Sequence, residues 1–348
     1  MQITVIVCTY NRSGLLPQAL ESIAASDMPP GIQWEILVTD NNSSDSTRSV
    51  IEEFIRRYPG RFRYLFECRP GKSNALNAAI ADSNGQVLAF VDDDVTVHPQ
   101  WLYRLTAPLF NGNWTGAGGR VLAGWDSAIP AWLDQESWIA AGPLVQFDRG
   151  LQPGPLRETP VGTNMAFRRS IFDRYGGFRT DLGPRPGSEI RNEDSEFTRR
   201  LLNAGECLYY EPQAIVYHPV PENRLRKRYF LAWWFDKGRS EIRETADCMT
   251  SGWSIARVPL PHIRRIIRWS IQSICTPDPR RRFISRVCLW KLLGEIAEFR
   301  NISAFRELRS YSSTGLIPES YGSPTVSLPS MDAQNALSSA SSNHLKSE

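Results

Sequence analysis

The sequence predicts an α/β chain with a doubly wound, mostly parallel central sheet and a helical C-terminal extension. Three observations carry this. Over the first 91 residues, short apolar runs alternate with helix-length amphipathic segments, as βαβ units require. Each apolar run stops on a polar cluster, where such sheets place their ligands. Beyond residue 221, strand-like runs give way to apolar residues at helical spacing mixed with arginines.

Residues 3–9 (ITVIVCT) read as the first strand, broken by Tyr10-Asn11-Arg12-Ser13. The short apolar run and the absence of basic residues before it argue for a strand and against a signal peptide. A helix from about Leu15 to Ala25 groups Leu15, Leu16, Ala19, Leu20 and Ile23. Residues 34–39 (WEILVT) form a second strand, and the following run from Asp40 to Thr47 is rich in helix-capping types. A helix with Val50, Ile51, Phe54 and Ile55 leads to a third strand, residues 62–66 (FRYLF). Pro70-Gly71-Lys72-Ser73-Asn74 opens a helix through Ile80, and a fourth strand, residues 86–91, ends on Asp92-Asp93-Asp94. Strands joined by crossover-length helices favour parallel pairing. Residues 117–122 and 214–218 read as further short strands.

Composition narrows the class. The 348 residues carry 40 Lys and Arg against 37 Asp and Glu, a net +3. Residues 221–310 alone hold 19 basic and 9 acidic residues, a net +10 that leaves −7 for the remainder. Such asymmetry suits an anionic partner, either nucleic acid, lipid or phosphorylated substrate. No nucleic-acid reader motif accompanies the basic segment, so nucleic acid is not expected. The six cysteines are scattered without a CxxC pair, which argues against a disulfide framework or zinc site and fits a reducing compartment. No apolar stretch reaches the length of a bilayer span. From about Tyr311 the composition turns to Ser, Asn, Gly and Pro and predicts a disordered tail.

The three consecutive aspartates concentrate the chemistry. Like charges side by side repel unless something neutralises them. At the end of a buried strand they suit a hard divalent cation, although a solvated acidic loop is the competing reading. Thr9, Tyr10, Arg12, Asp40 and Lys72 fall at neighbouring strand ends. Lys72, with free N–H groups at a helix start, suits a phosphate, and Asp40 equally suits a helix cap. The GKS run lacks Walker A spacing, and no GxGxxG follows the first strand, which excludes the usual dinucleotide redox signature.

Five segments in order then resemble a known family. They are VIVCTYNR (5–12), DNNSSDST (40–47), GKSNALN (71–77), FVDDDV (90–95) and NEDSEF (192–197). Together they are similar to the signatures of family 2 glycosyltransferases, over roughly residues 3–218, with Ser46 where many members carry Gly. The resemblance implies a Rossmann-like GT-A fold that binds a nucleotide-diphosphate sugar in residues 1–124. Residues 125–220 would be the acceptor-binding half, and 221–310 a basic helical extension before the tail at 311–348. It implies that Thr9, Tyr10, Arg12, Lys72 and Asn74 contact substrate and that Asp40 contacts base or ribose. Asp92 and Asp94 map onto the DxD motif, with Asp94 on Mg²⁺ or Mn²⁺, Asp92 on ribose or metal, and Asp93 between them on the substrate side. Asp194 takes the role of general base ahead of Glu193, although acidic residues also suit a helix start on electrostatic grounds. His218, after a short strand, would be a third metal ligand or an ordinary buried histidine.

The implied reaction is an inverting transfer to an acceptor hydroxyl on a glycan, lipid-linked or small-molecule acceptor, in the synthesis of a polysaccharide, glycolipid or other glycoconjugate. A nucleotidyltransferase on a similar sheet would want a Gly-rich basic loop after the first strand, which is missing. A sugar-nucleotide-binding module without catalysis would not need Asp92, Asp94 and Asp194 together. Trp125, Trp132 and Trp138 suit carbohydrate stacking, lipid contact or core packing. The basic, Trp-containing helices after residue 221 suit an anionic membrane surface or packing on the catalytic domain. A cytoplasmic protein, peripheral on the cytoplasmic face of the membrane, follows as the expectation.

Overall fold

The computed structural model describes residues 2–125, 128–245, 254–255 and 258–313. The tail beyond 313 lies outside the described residues. Contacts divide the chain into residues 1–302 and 303–348, and of the second unit only the end of a helix is described.

The first half is a run of β1 (Ile3–Thr9), α1 (Leu16–Ala24), β2 (Trp34–Asp40), α2 (Thr47–Arg57), β3 (Phe62–Phe66), α3 (Lys72–Asp82) and β4 (Val87–Asp92). Then come β5 (Thr96–Val97), α4 (Trp101–Asn111), β6 (Gly116–Trp125), α5 (Trp138–Ala141), β7 (Gly154–Leu156) and β8 (Met165–Arg168). The remainder comprises α6 (Arg169–Tyr175), α7 (Glu193–Asn203), β9 (Leu208–Val220), α8 (Lys227–Thr245), the pair β10 (Ser254–Ile255) and β11 (Val258–Pro259), α9 (Leu260–Cys275) and α10 (Pro279–Ser313).

The main sheet runs β3-β2-β1-β4-β8-β6-β9-β5, with β7 added on β9. β1 to β4 pair in parallel, β8 is inserted antiparallel between β4 and β6, and β6 and β9 are again parallel. The chain builds outward from β1 to β3, then returns to β4 on the other side of β1. That reversal opens a crevice beyond the carboxyl ends of β1 and β4. Register brings the ends together: Thr9 lies opposite Asp40, and Cys8 opposite Asp92.

β1, β2 and β4 read as nearly unbroken apolar runs because helices cover both faces. Alternate residues divide between two cores. Val5, Val7, Val38 and Val91 pack with α1, α2 and α4, whereas Ile6, Leu37, Leu88 and Phe90 pack with α3, α6 and α7. A third core joins Leu133, Ile139 and Leu144 to Phe230, Trp234, Phe283 and Val287, so α8 and α10 pack on the irregular segment after β6. Trp132 sits there, against Phe230 and Phe283 with ring centroids 5.1 and 4.9 Å away, while Trp138 is half exposed beside Trp234.

Two strands run longer than the sequence predicts. β6 covers 116–125 rather than 117–122, and β9 covers 208–220 rather than 214–218. In β9, Pro212 breaks the apolar pattern that would have announced the longer strand. The register shift of β9 against β6 at Gly119/Arg120 accommodates the irregularity. Among the described residues, no helix is long and apolar enough to cross a membrane.

Candidate active site

The aspartates sit where β4 ends and the chain turns into β5. That two-residue strand pairs antiparallel with β9, Thr96 opposite Tyr217 and Val97 opposite Val216. The pairing lays Asp94 beside His218, with Oδ1 3.7 Å from Nε2. The other Asp94 oxygen accepts a hydrogen bond from Arg12 Nη1 at 2.7 Å, and Arg224 Nη2 lies 3.8 Å from it. Arg12 also approaches Asp93 at 3.9 Å, and Lys72 Nζ donates to Asp92 Oδ1 at 2.6 Å. Every member of the triplet therefore has a cation within 4 Å. The repulsion expected from the sequence is offset by the chain's own Arg12, Lys72 and Arg224.

Protonation follows from these neighbours. Burial opposes ionisation of Asp92, but the Lys72 ammonium outweighs it and holds the carboxyl below its usual range. Lys72 likewise stays protonated, because Asp92 and Glu193 overcome the cost of burial. Burial pushes Asp93 up to about 6, against the pull of Arg12. Burial lowers His218, and its Nδ1 lies 2.9 Å from the Pro219 carbonyl. A carbonyl only accepts, so Nδ1 carries the proton, and the Nε2 lone pair lies 3.4 Å from the donor Arg224 Nη1 as well as near Asp94.

The second half of the site is the start of α7. Asp194 is held by two backbone donors: Gly162 N–H reaches Oδ2 at 2.7 Å and Ser195 N–H reaches Oδ1 at 2.7 Å. A Cβ on residue 162 would lie 2.9 Å from Oδ2, so only glycine allows this approach. Glu193 is buried, with Oε1 3.7 Å from Lys72 Nζ. Burial, then the Asp194 charge, push Glu193 up to about 7 in spite of Lys72. Lys72, Asp92, Gly162, Glu193 and Asp194 line one narrow pocket, floored by Cys8 and Phe90.

Comparison with known proteins decides the family. The family model described as glycosyl transferase family 2 matches residues 4–176. Succinoglycan biosynthesis protein ExoM of Rhizobium meliloti is 30% identical over 263 residues, spanning 74% of this chain and 80% of that protein. The chain belongs to glycosyl transferase family 2. A further relative of this transferase is the glucosyl-dolichyl phosphate glucuronosyltransferase of Haloferax volcanii, 25% identical over 64% of the chain and 71% of that protein. Its fold is that of GT-A enzymes. The mannosyltransferase PcManGT from Pyrobaculum calidifontis, solved with GDP-Man and Mn²⁺, superposes with a TM-score of 0.52 at 20% identity, over 97% of this chain and 79% of that one. The protein is thus an enzyme, a glycosyltransferase.

The transferase brings most of the sequence-predicted residues together, but engages some of them elsewhere. Asp40 is buried, with Oδ1 accepting Ser43 N–H at 2.9 Å within its own loop and Oδ2 the Tyr64 hydroxyl of β3 at 3.1 Å. Asn74 turns its amide back to the Pro70 carbonyl at 3.0 Å. Thr9 is buried at the end of β1, and Tyr10 beyond it is exposed. Three contributors lie in segments the sequence marks but have no individual role there. Gly162 acts through its backbone, which leaves no side-chain signal. Arg224 stands in a run of basic residues that reads either as a segment closing over the diphosphate or acceptor, as in related enzymes, or as a solvated face, with no single residue picked out. Asn41, in the loop after β2, accepts Gly71 N–H at 2.7 Å and donates to the Glu67 and Arg69 carbonyls, tying the start of α3 to the crevice.

Proposed function

We propose that this transferase moves a sugar from a nucleoside-diphosphate donor to an acceptor hydroxyl in a single inverting displacement, with Asp194 as general base and Asp94 and His218 as protein ligands of Mg²⁺ or Mn²⁺. The observation that carries it is the shared pocket: the Lys72–Asp92 pair at the end of β4 and Asp194 at the start of α7 face one space.

The chemistry of Asp94 and His218 fits a divalent cation. Two acceptors, a carboxylate oxygen and an imidazole lone pair, confront each other at 3.7 Å, too far for a hydrogen bond and suited to a shared ion. Bound there, the ion would neutralise the charge that develops on the leaving diphosphate. PcManGT, a GT-A relative in fold, was solved with Mn²⁺ and GDP-Man. Arg12, Lys72 and Arg224 converge on the same end and supply fixed positive charge for the diphosphate oxygens. Asp40, Asp92 and Asp93 are assigned to the nucleoside side. Asp194, aimed by Gly162 and Ser195, takes the proton of the attacking hydroxyl as its oxygen approaches the anomeric carbon in line. Glu193, buried and easily protonated, is left to orient Lys72.

Residues 1–124 then form the donor half and 125–220 the acceptor half. The name of the Haloferax relative specifies a dolichyl-phosphate-linked acceptor. A lipid-linked acceptor for this chain agrees with α9. Ile267, Ile271 and Ile274 are 56, 56 and 74% exposed, on the side of the helix that also carries exposed Arg264 and Arg268. The opposite side is fixed to α10 through Glu295, which meets Arg265 at 3.0 Å and His262 at 3.3 Å. A basic helix with an outward isoleucine stripe suits peripheral attachment to the anionic cytoplasmic face of a membrane.

A thermal-shift screen of UDP- and GDP-sugars with Mn²⁺ tests the reading. A donor at 100 times its Kd stabilises the native chain by about 2.7 kcal/mol and raises Tm. If no nucleotide sugar raises Tm, the donor assignment is wrong.

A further inference from the structure

We infer that α8, an element outside the main sheet, sets the position of Asp194, and that Lys237 is the positioning residue through which it acts. The inference rests on the reading of Asp194 as the base.

The turn that presents Asp194 is unusual. Asn192, the residue before α7, is buried and left-handed, with φ 77°, a conformation a residue with a side chain adopts only when its surroundings hold it. Asparagine commonly stabilises such a turn by capping its own helix, but Asn192 makes no such cap. Both ends of its amide go to α8 instead. Oδ1 accepts from Lys237 Nζ at 2.7 Å, and Nδ2 donates to Glu244 Oε2 at 2.8 Å. The preceding N–H, of Arg191, donates to Ser240 Oγ at 2.8 Å, and the Arg191 guanidinium lies 5.5 Å from the Trp233 ring centroid. Trp233, Lys237, Ser240 and Glu244 are spaced i, i+4, i+7 and i+11, one stripe of α8. Glu244 is also ion-paired to Arg199 of α7. A single helix face therefore grips two consecutive residues, and Asp194 follows two positions later.

The grip is itself braced. α8 crosses α10 at Gly238 and Gly294, so closely that a Cβ on Gly294 would lie 1.9 Å from the Phe235 carbonyl oxygen and one on Gly238 2.0 Å from that of Lys291. Buried Glu298 of α10 binds Arg239 at 3.2 Å and also pairs with Arg243. Within the stripe Lys237 is the one cation bonded to Asn192. Its charge is acted on by Asp194 and Arg199 of α7, Glu241 of its own helix and Lys291 of α10. The C-terminal helices thus give the catalytic turn a fixed frame, a role distinct from any membrane contact of α9.

The test is steady-state hydrolysis of the nucleotide sugar that scores highest in the thermal screen, with water as acceptor and nucleoside diphosphate release as readout, on the full chain. Lys237→Met should lower kcat about tenfold to a hundredfold, the scale expected when a reacting group is misplaced, and leave the donor KM within about twofold. Lys237→Arg, which keeps a donor, should recover part of the loss. Asn192→Gly keeps the left-handed backbone but removes both the acceptor for Lys237 and the donor to Glu244, and should lose at least as much as Lys237→Met. The double variant should lose no more than Asn192→Gly alone, because the bond that Lys237→Met breaks is already gone. If Lys237→Met does not fold, Asn192→Gly carries the test. Unchanged kcat in Lys237→Met or Asn192→Gly, losses that multiply in the double variant, or a loss expressed in KM, would each overturn the inference. Asp194→Asn run alongside separates the two ideas: if it retains full turnover, the assignment of the base has failed, and the brace has no catalytic group to position.

Discussion

Asp94 Oδ1 and His218 Nε2 face each other at 3.7 Å across the β5–β9 pairing, and both present lone pairs. Two side chains 124 positions apart in sequence are thereby made into one ligand pair. Removing either should weaken metal-dependent donor binding. His218→Ala and Asp94→Asn are each expected to reduce Mn²⁺-dependent affinity by about tenfold to a hundredfold, the range found for groups that support a metal site. Metal-free binding should change much less. Calorimetric titration of the donor with and without Mn²⁺ reads this directly. Equal losses in both conditions would mean that the pair serves some other purpose.

Glu193 should make stability depend on pH. Its usual value is 4.5, and burial in the native chain pushes it up to about 7. Between those values the native chain holds a proton that the unfolded chain has released. Stability therefore is greatest below about 4.5 and falls as pH rises through 7. Glu193→Gln removes the ionisation and should raise Tm more at pH 8 than at pH 5. A Tm difference that is the same at both values would remove Glu193 as the source of that dependence.

The exposed face of α9 should bind anionic lipid. Replacing Ile267, Ile271 and Ile274 with Ser should abolish co-sedimentation with vesicles rich in phosphatidylglycerol, while turnover of soluble donor stays unchanged. Binding should weaken with salt, since Arg264 and Arg268 act through screened charge. A wild-type protein that ignores such vesicles at low salt has no membrane role for this face. So would one whose triple variant still binds them.

Much of this was legible in the residues. β1, β2 and β4 announce themselves because strands buried on both faces are mostly apolar, and each ends on polar groups at the crevice, whereas β3 at the sheet edge carries Arg63 and is only partly buried. Asp92 and Asp94 stand out for the same reason, as carboxylates closing a buried run, whereas Asp194 stands out only through the family resemblance of its NEDSEF segment. The insertion of β8 between β4 and β6 was not legible, because strand order depends on long-range pairing that leaves no local pattern. Arg12 and Lys72 stand at neighbouring strand ends in the sequence, but which carboxylate each cation pairs with was not legible. Arg12 and Arg224 meet Asp94 only after β1, β5 and the turn beyond β9 come together. Asn192 opens the NEDSEF segment but has no role of its own in the sequence; its left-handed backbone and its bond to Lys237 exist only in the folded chain.

The central claim is that Asp194 removes the acceptor's proton. Asp194→Asn preserves size and can still accept the Gly162 N–H bond, but it cannot take a proton at neutral pH. Measured on one preparation, donor Kd with Mn²⁺ should stay within about twofold of wild type, while kcat falls by about a hundredfold to ten-thousandfold, the usual contribution of general base catalysis. A variant that turns over at the wild-type rate, or one that loses donor binding along with turnover, would contradict the account.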